Sequence, residues 1–123
     1  MKTKHIFVLL FIFLLNNNMG VAMGEKLDYK SQIRENYKNI NLLDGVDREE
    51  AVIIAQNYLI DERLDKLLVI SKPDVKNCDS DDRYWLVIFP TNFKVKLTQG
   101  LKWGSALVDK KSGKVIYRGE GPA

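Results

Sequence analysis

"ALVDKKSGKVI", Ala106 to Ile116, decides how the chain folds. Two apolar runs flank a polar tip that ends in glycine. The glycines and lysines of this region invite a phosphate-loop reading, and the spacing rejects it. A Walker-type loop needs Gly-x-x-x-x-Gly-Lys-Ser/Thr between a strand and a helix. Here Val115 follows Gly113-Lys114, Val108 stands five residues before Gly113, and "VIY" continues as a strand. The hairpin reading satisfies every position. Asp109 can accept bonds from the N–H groups just ahead of it. Lys110, Lys111 and Ser112 form the tip. Gly113 supplies the positive φ that closes a three- to four-residue loop with a bulge.

Working outward, "WGSALVD" (Trp103 to Asp109) and "KVIYR" (Lys114 to Arg118) are the last two strands. "RYWLVIF" (Arg83 to Phe89) is apolar on both faces and reads as a central strand stopped by Pro90. "NFKVKLT" alternates Phe93, Val95 and Leu97 with Lys94, Lys96 and Thr98, the pattern of a half-buried strand or extended arm. "LLVIS" (Leu67 to Ser71) is read as a short strand, and "KPDVKNCDSDD" (Lys72 to Asp82) as a loop.

Helices occupy the first half. Tyr29, Ile33, Tyr37 and Ile40 make one helical stripe, which the "LLDGVD" segment breaks at Gly45. Asp47 with Glu50 forms a capping-box signature. Ala51, Ile54, Ala55, Tyr58 and Leu59 follow as the buried stripe of a second helix fading near Glu62 to Asp65. The two alanines leave room for close approach to a sheet. The expected class is α+β: N-terminal helices packed on one face of a four- to five-stranded, mainly antiparallel sheet that ends in a β-hairpin.

Lys2, Lys4 and His5 precede ten unbroken apolar residues, Ile6 to Leu15, and then small residues. This is the layout of a secretory signal peptide, too short to span a bilayer comfortably. Cleavage before Met23 or before Glu25 fits the small-x-small rule. Residues 1–24 are expected to be a signal peptide and 25–123 a single α+β domain, periplasmic or secreted, without a stable membrane anchor after cleavage. The remaining chain holds seventeen Lys+Arg and sixteen Asp+Glu, a net +1, so general attraction to nucleic acid is weak. The charge is unevenly placed. Glu25 to Asp82 carries nine basic and fourteen acidic residues, and Arg83 to Ala123 eight basic and two acidic.

The only histidine is His5. Residues 25–123 therefore lack a histidine for Ser-His-Asp or Cys-His catalysis and for histidine-based zinc sites. Cys78 is the single cysteine and cannot build an internal disulfide. It is expected to be partly buried and inert, with a dimer through an intermolecular disulfide or a free reactive thiol as the alternatives. Asp79, Asp81 and Asp82 cluster in one loop, but the sixth and twelfth positions counted from Asn77 are Asp82 and Ile88, which fails the calcium-loop pattern. No catalytic residue, metal ligand or cofactor site is assigned. Trp103 with Lys94, Lys96 and Lys102 is the leading candidate contact surface, and Lys110 and Lys111 at the hairpin tip extend it toward an acidic partner.

These segments resemble two groups of small exported bacterial domains. "EEAVIIA", "YWLVIF" and "ALVDKKSGKVI", with Asp109, Gly113 and Val115 in place, resemble the PepSY domain. The helix "EEA…IA…YL", the "YW.V" strand, a late glycine and the final "DKK.GKV" are similar to small immunity proteins of nuclear-transport-factor-like or related α+β fold. Either resemblance covers roughly Asp47 to Arg118. The "PTNFKVKLTQGLKW" segment is longer than a minimal PepSY hairpin needs, and Gly104 stands alone where immunity proteins often carry two glycines. Both resemblances imply a non-catalytic role, inhibiting a hydrolase or neutralising a toxin, and neither carries over a catalytic residue. Two other classes stand beside this one: a small pocket-containing ligand-binder or enzyme with a cone-like fold, and a self-associating envelope component.

Overall fold

The computed structural model describes residues 25–122. Helix α1 (Glu25–Lys38), a 3₁₀ turn (Leu42–Asp44) and helix α2 (Arg48–Asp61) come first, followed by a second 3₁₀ turn (Leu64–Lys66). Strands β1 (Asp74–Asn77) and β2 (Tyr84–Pro90), helix α3 (Phe93–Gln99), and strands β3 (Trp103–Asp109) and β4 (Val115–Gly121) complete the order. The sheet is antiparallel throughout, in the order β1-β2-β3-β4. The class is α+β, with the N-terminal helices preceding a sheet that ends in a hairpin. The expected signal peptide lies outside the described residues. Among the described residues, no helix is long and apolar enough to cross a membrane.

Helix α2 begins where local chemistry says it must. The Asp47 carboxylate accepts the Glu50 N–H at 2.8 Å, and the Glu50 carboxylate accepts the Asp47 N–H at 2.9 Å. Two first-turn donors are thereby satisfied. Gly45, at φ +85°, turns the chain into this start. Ala51, Ile54, Ala55 and Leu59 are all buried, and α2 lies across all four strands. Beneath it the sheet presents Val87 and Phe89 from β2, and Gly104, Ala106 and Val108 from β3. Gly104 fits closely there: a Cβ would lie 2.8 Å from both Leu68 methyls and 2.9 Å from the Tyr117 hydroxyl, so those side chains would have to shift. Helix α1 packs on α2 rather than on the sheet. Gln56 ties the layers by donating to the Tyr29 hydroxyl at 3.0 Å and to the Ile70 carbonyl at 2.8 Å.

The hairpin forms as its residues dictate. The Asp109 carboxylate accepts the N–H groups of Lys111 and Ser112, each at 2.8 Å. The Asp109 N–H donates to the Lys114 carbonyl, and the Gly113 N–H to the Asp109 carbonyl, both at 2.9 Å. Gly113 has φ +75°. The strand bulge lies further along: the β3–β4 register shifts between Ser105 and Ala106, leaving Arg118 as the extra residue on β4.

Four expectations are corrected. The segment "NFKVKLT" is not a strand but helix α3. Asn92 caps it by accepting the Val95 N–H at 2.8 Å, and Gly100, at φ +69°, ends it in the left-handed conformation. These two caps outweigh the alternating pattern. "LLVIS" is not a strand but a connecting segment. It makes one bridge, Leu68 to Thr91, while Leu68 and Ile70 fill the core. Lys72 to Asp82 is not wholly a loop, since it contains edge strand β1. Only Val75 is even partly covered there, so β1 carries no apolar alternation to announce it. The first helical stripe is also shorter than expected, because α1 ends at Lys38 and Tyr37 is 40% exposed.

The backbone donors of Ser112 and Lys111 hold the Asp109 carboxyl below the usual carboxylate range. Its contribution to stability is therefore present above the unfolded value, about 3.9, and is lost as pH falls through the lower folded value. Replacing Asp109→Ala should cost about 1 kcal/mol near pH 7, and thermal melts should show this difference from wild type vanish toward pH 2. A difference independent of pH would contradict the turn's electrostatic origin.

Candidate functional site

The six candidate contact residues fall into two groups. Lys94 and Lys96 lie on α3, Lys102 just before β3 and Trp103 at its start. Lys110 and Lys111 lie beyond the other end of β3, roughly 20 Å away at the usual rise per strand residue. The fold therefore does not bring all six together.

Lys110 is held within the fold. Its Nζ sits 4.7 Å from the Trp85 ring centroid and donates to Asn77 Oδ1 at 2.6 Å. Its carbonyl accepts the Val46 N–H at 2.7 Å, and the Trp85 Nε1–H donates to the Val46 carbonyl at 2.8 Å. Arg48 lies 5.5 Å from the same ring. This cluster locks the hairpin to the start of α2, and Lys111 is left exposed at the tip.

The α3 group forms a surface of unusual composition. Val95 is its only buried residue, whereas Phe93 is 74% and Leu97 67% exposed. At about 100° per residue, Phe93 and Leu97 lie about 40° apart on the side away from Val95. Lys94 and Lys96 stand on either side of them. The helix thus turns its apolar pair to solvent and frames it with cations, the reverse of an ordinary surface helix. Reading the segment as a strand placed Phe93 and Leu97 in the core. The signal that locates them correctly is the pair of cap residues, Asn92 and Gly100.

Trp103 opens the second feature, on the sheet face away from α2. Its Nε1–H donates to the Pro122 carbonyl at 2.8 Å, and its ring lies so close to Gly121 that a Cβ there would be 2.4 Å from it. With Leu86, Ile88, Ser105 and Arg118 it lines a groove of about 230 Å³. The groove has a structural cause. Ser105 pairs with Gly119, so two small residues face each other between larger neighbours, and a Cβ built on Gly119 would meet nothing within 4 Å.

Other titratable groups have local roles. Burial and the hydrogen-bonded Glu120 carboxylate push the Tyr117 hydroxyl well above its ordinary value. Arg83 pairs with Asp81 at 2.8 Å and holds its carboxyl down. Among the described residues, no three His, Cys, Asp or Glu side chains gather as a metal site. Cys78 is 4% exposed, with its Sγ 3.4 Å from Ser80 Oγ, and that hydrogen bond lowers the thiol's pKa. A disulfide through it requires the turn to open. No family model, curated protein or solved structure matches this chain.

Access rather than acidity should control the Cys78 thiol, because a thiolate shielded from solvent reacts slowly. Labelling by a bulky disulfide reagent should be at least tenfold slower in the native protein than in denaturant. Equal rates would place Cys78 at the surface.

Proposed function

We propose that the chain is an exported, non-catalytic protein-binding module that docks on an acidic protein, a toxin or hydrolase, and holds it inactive. The α3 surface carries this reading. Phe93 and Leu97 project from a short capped helix, with Lys94 and Lys96 beside them. Burying such side chains yields roughly 1.5–3 kcal/mol each, a sufficient driving force for a contact centred on two anchors. Flanking lysines favour an acidic rim, steer the encounter and add rather less affinity. The basic balance of Arg83 to Ala123 points the same way. The resemblance to immunity and PepSY-type domains supports a blocking role. The N-terminal apolar run, Ile6 to Leu15, supports a periplasmic or secreted location.

The test combines capture with inhibition. Immobilised full chain should retain an acidic protein from an envelope extract and suppress that protein's activity in solution. Phe93→Ser/Leu97→Ser should weaken retention at least tenfold, equivalent to about 1.4 kcal/mol, with melting unchanged because neither residue is buried. Lys94→Glu/Lys96→Glu should slow association and flatten its salt dependence. Equal retention by the serine variant, or turnover of a small substrate by the chain itself, would overturn the proposal.

A further inference from the structure

We infer that the groove on the outer face of the sheet is a second recognition site, built for the C-terminal residue of a partner polypeptide: an apolar side chain carrying a free carboxylate. The inference rests on the protein-binding reading, but on none of the α3 residues.

Three observations converge. The groove exists because Ser105 and Gly119 oppose each other across β3 and β4, while Leu86, Ile88 and Trp103 keep its lining apolar. The bulge in β4 makes Arg118 the extra residue at this point of the ladder and puts it in the groove lining. Bulges re-aim side chains in this way. Among the described residues, no carboxylate pairs with Arg118, whereas Arg34 and Arg83 each have an acidic partner. A guanidinium beside an apolar groove complements a carboxylate on an apolar body, which it can bind through two parallel hydrogen bonds. The Ser105 hydroxyl supplies a further donor.

Size selects the occupant. A groove of about 230 Å³ is smaller than typical sites for whole small-molecule ligands. It suits one side chain and its carboxylate. The groove lies on the solvent-facing side of the sheet, so the rest of a bound polypeptide can continue outward. A terminal residue meets both conditions. A chain-internal residue brings no carboxylate beside its own side chain unless it is acidic, and an acidic side chain would not use the apolar lining.

The test titrates the uniformly ¹⁵N-labelled full chain with a tetrapeptide ending in leucine, using amide chemical shifts. Saturable shifts are expected at Ile88, Ser105 and Gly119. C-terminal amidation of the peptide, Arg118→Gln, or Ser105→Val, which fills the groove, should each weaken binding at least tenfold. Amide dispersion should show each variant still folded. Phe93→Ser/Leu97→Ser should leave peptide binding unchanged, so this inference and the α3 reading fail separately. Absence of saturation, or equal binding of the amidated peptide, would overturn it. Hexanoate binding as tightly as the peptide would overturn the polypeptide assignment in favour of a free acid. Concentration-dependent shifts at the same amides without peptide would show that a second copy of the chain occupies the face, and would overturn it too.

Discussion

The carboxylate of Asp109 sets the register on which the rest of the fold depends. By accepting two successive backbone N–H groups it fixes the turn, and Gly113 closes that turn where only a left-handed residue fits. With Asp109 bonded to Lys114, Val108 must face Val115 and Leu107 must face Ile116. Because β3 is also held by β2, a slip of one residue would turn β4 over. Val115 and Tyr117 would leave the core, and Ile116 would enter it. The hairpin is also tied to α2 through Lys110, Val46 and Trp85, so one turn fixes both the strand register and the position of the helix above it.

That register distributes side-chain size between the two faces. Inward, Gly104 and Ala106 are small, as are Ala51 and Ala55 on α2, and the helix can lie close to the sheet. Leu68 and Phe89 fill the remaining volume. Outward, Ser105 meets Gly119 and leaves the gap that Trp103, Leu86 and Ile88 surround. The inner face uses its small residues for contact and the outer face leaves its own open. The α3 excursion between β2 and β3 adds a projecting helix, capped by Asn92 and Gly100 and anchored by Val95.

Features written in neighbouring residues were legible in the sequence. The α2 cap is Asp47 with Glu50, its buried stripe follows 3.6-residue spacing, and the final hairpin needs only Asp109 and Gly113. The central strand is readable from the apolar run within Arg83 to Phe89, although it continues through Pro90 rather than stopping there. Segments whose pattern is weak or divided were misread. Strand β1 holds one partly covered apolar residue, so nothing periodic marks it. Residues 93–99 alternate but are flanked by a pair of helix caps, Asn92 and Gly100, and the caps prevail because only Val95 has a core to enter. Alternation alone turns Phe93 and Leu97 inward with Val95, whereas the helix turns them to solvent beside Lys94 and Lys96. The groove could not be seen at all, because Ser105, Gly119 and Arg118 meet only through a bulged register between strands.

The central claim is that register and the helical state of residues 93–99, and solution NMR on the full chain measures both. The account predicts cross-strand backbone NOEs joining Val108 to Val115 and Leu107 to Ile116, with helical Cα shifts from Phe93 to Gln99. NOEs joining Val108 to Ile116, or extended Cα shifts across residues 93–99, would contradict it. Either result would remove the groove or the apolar helix face on which recognition rests.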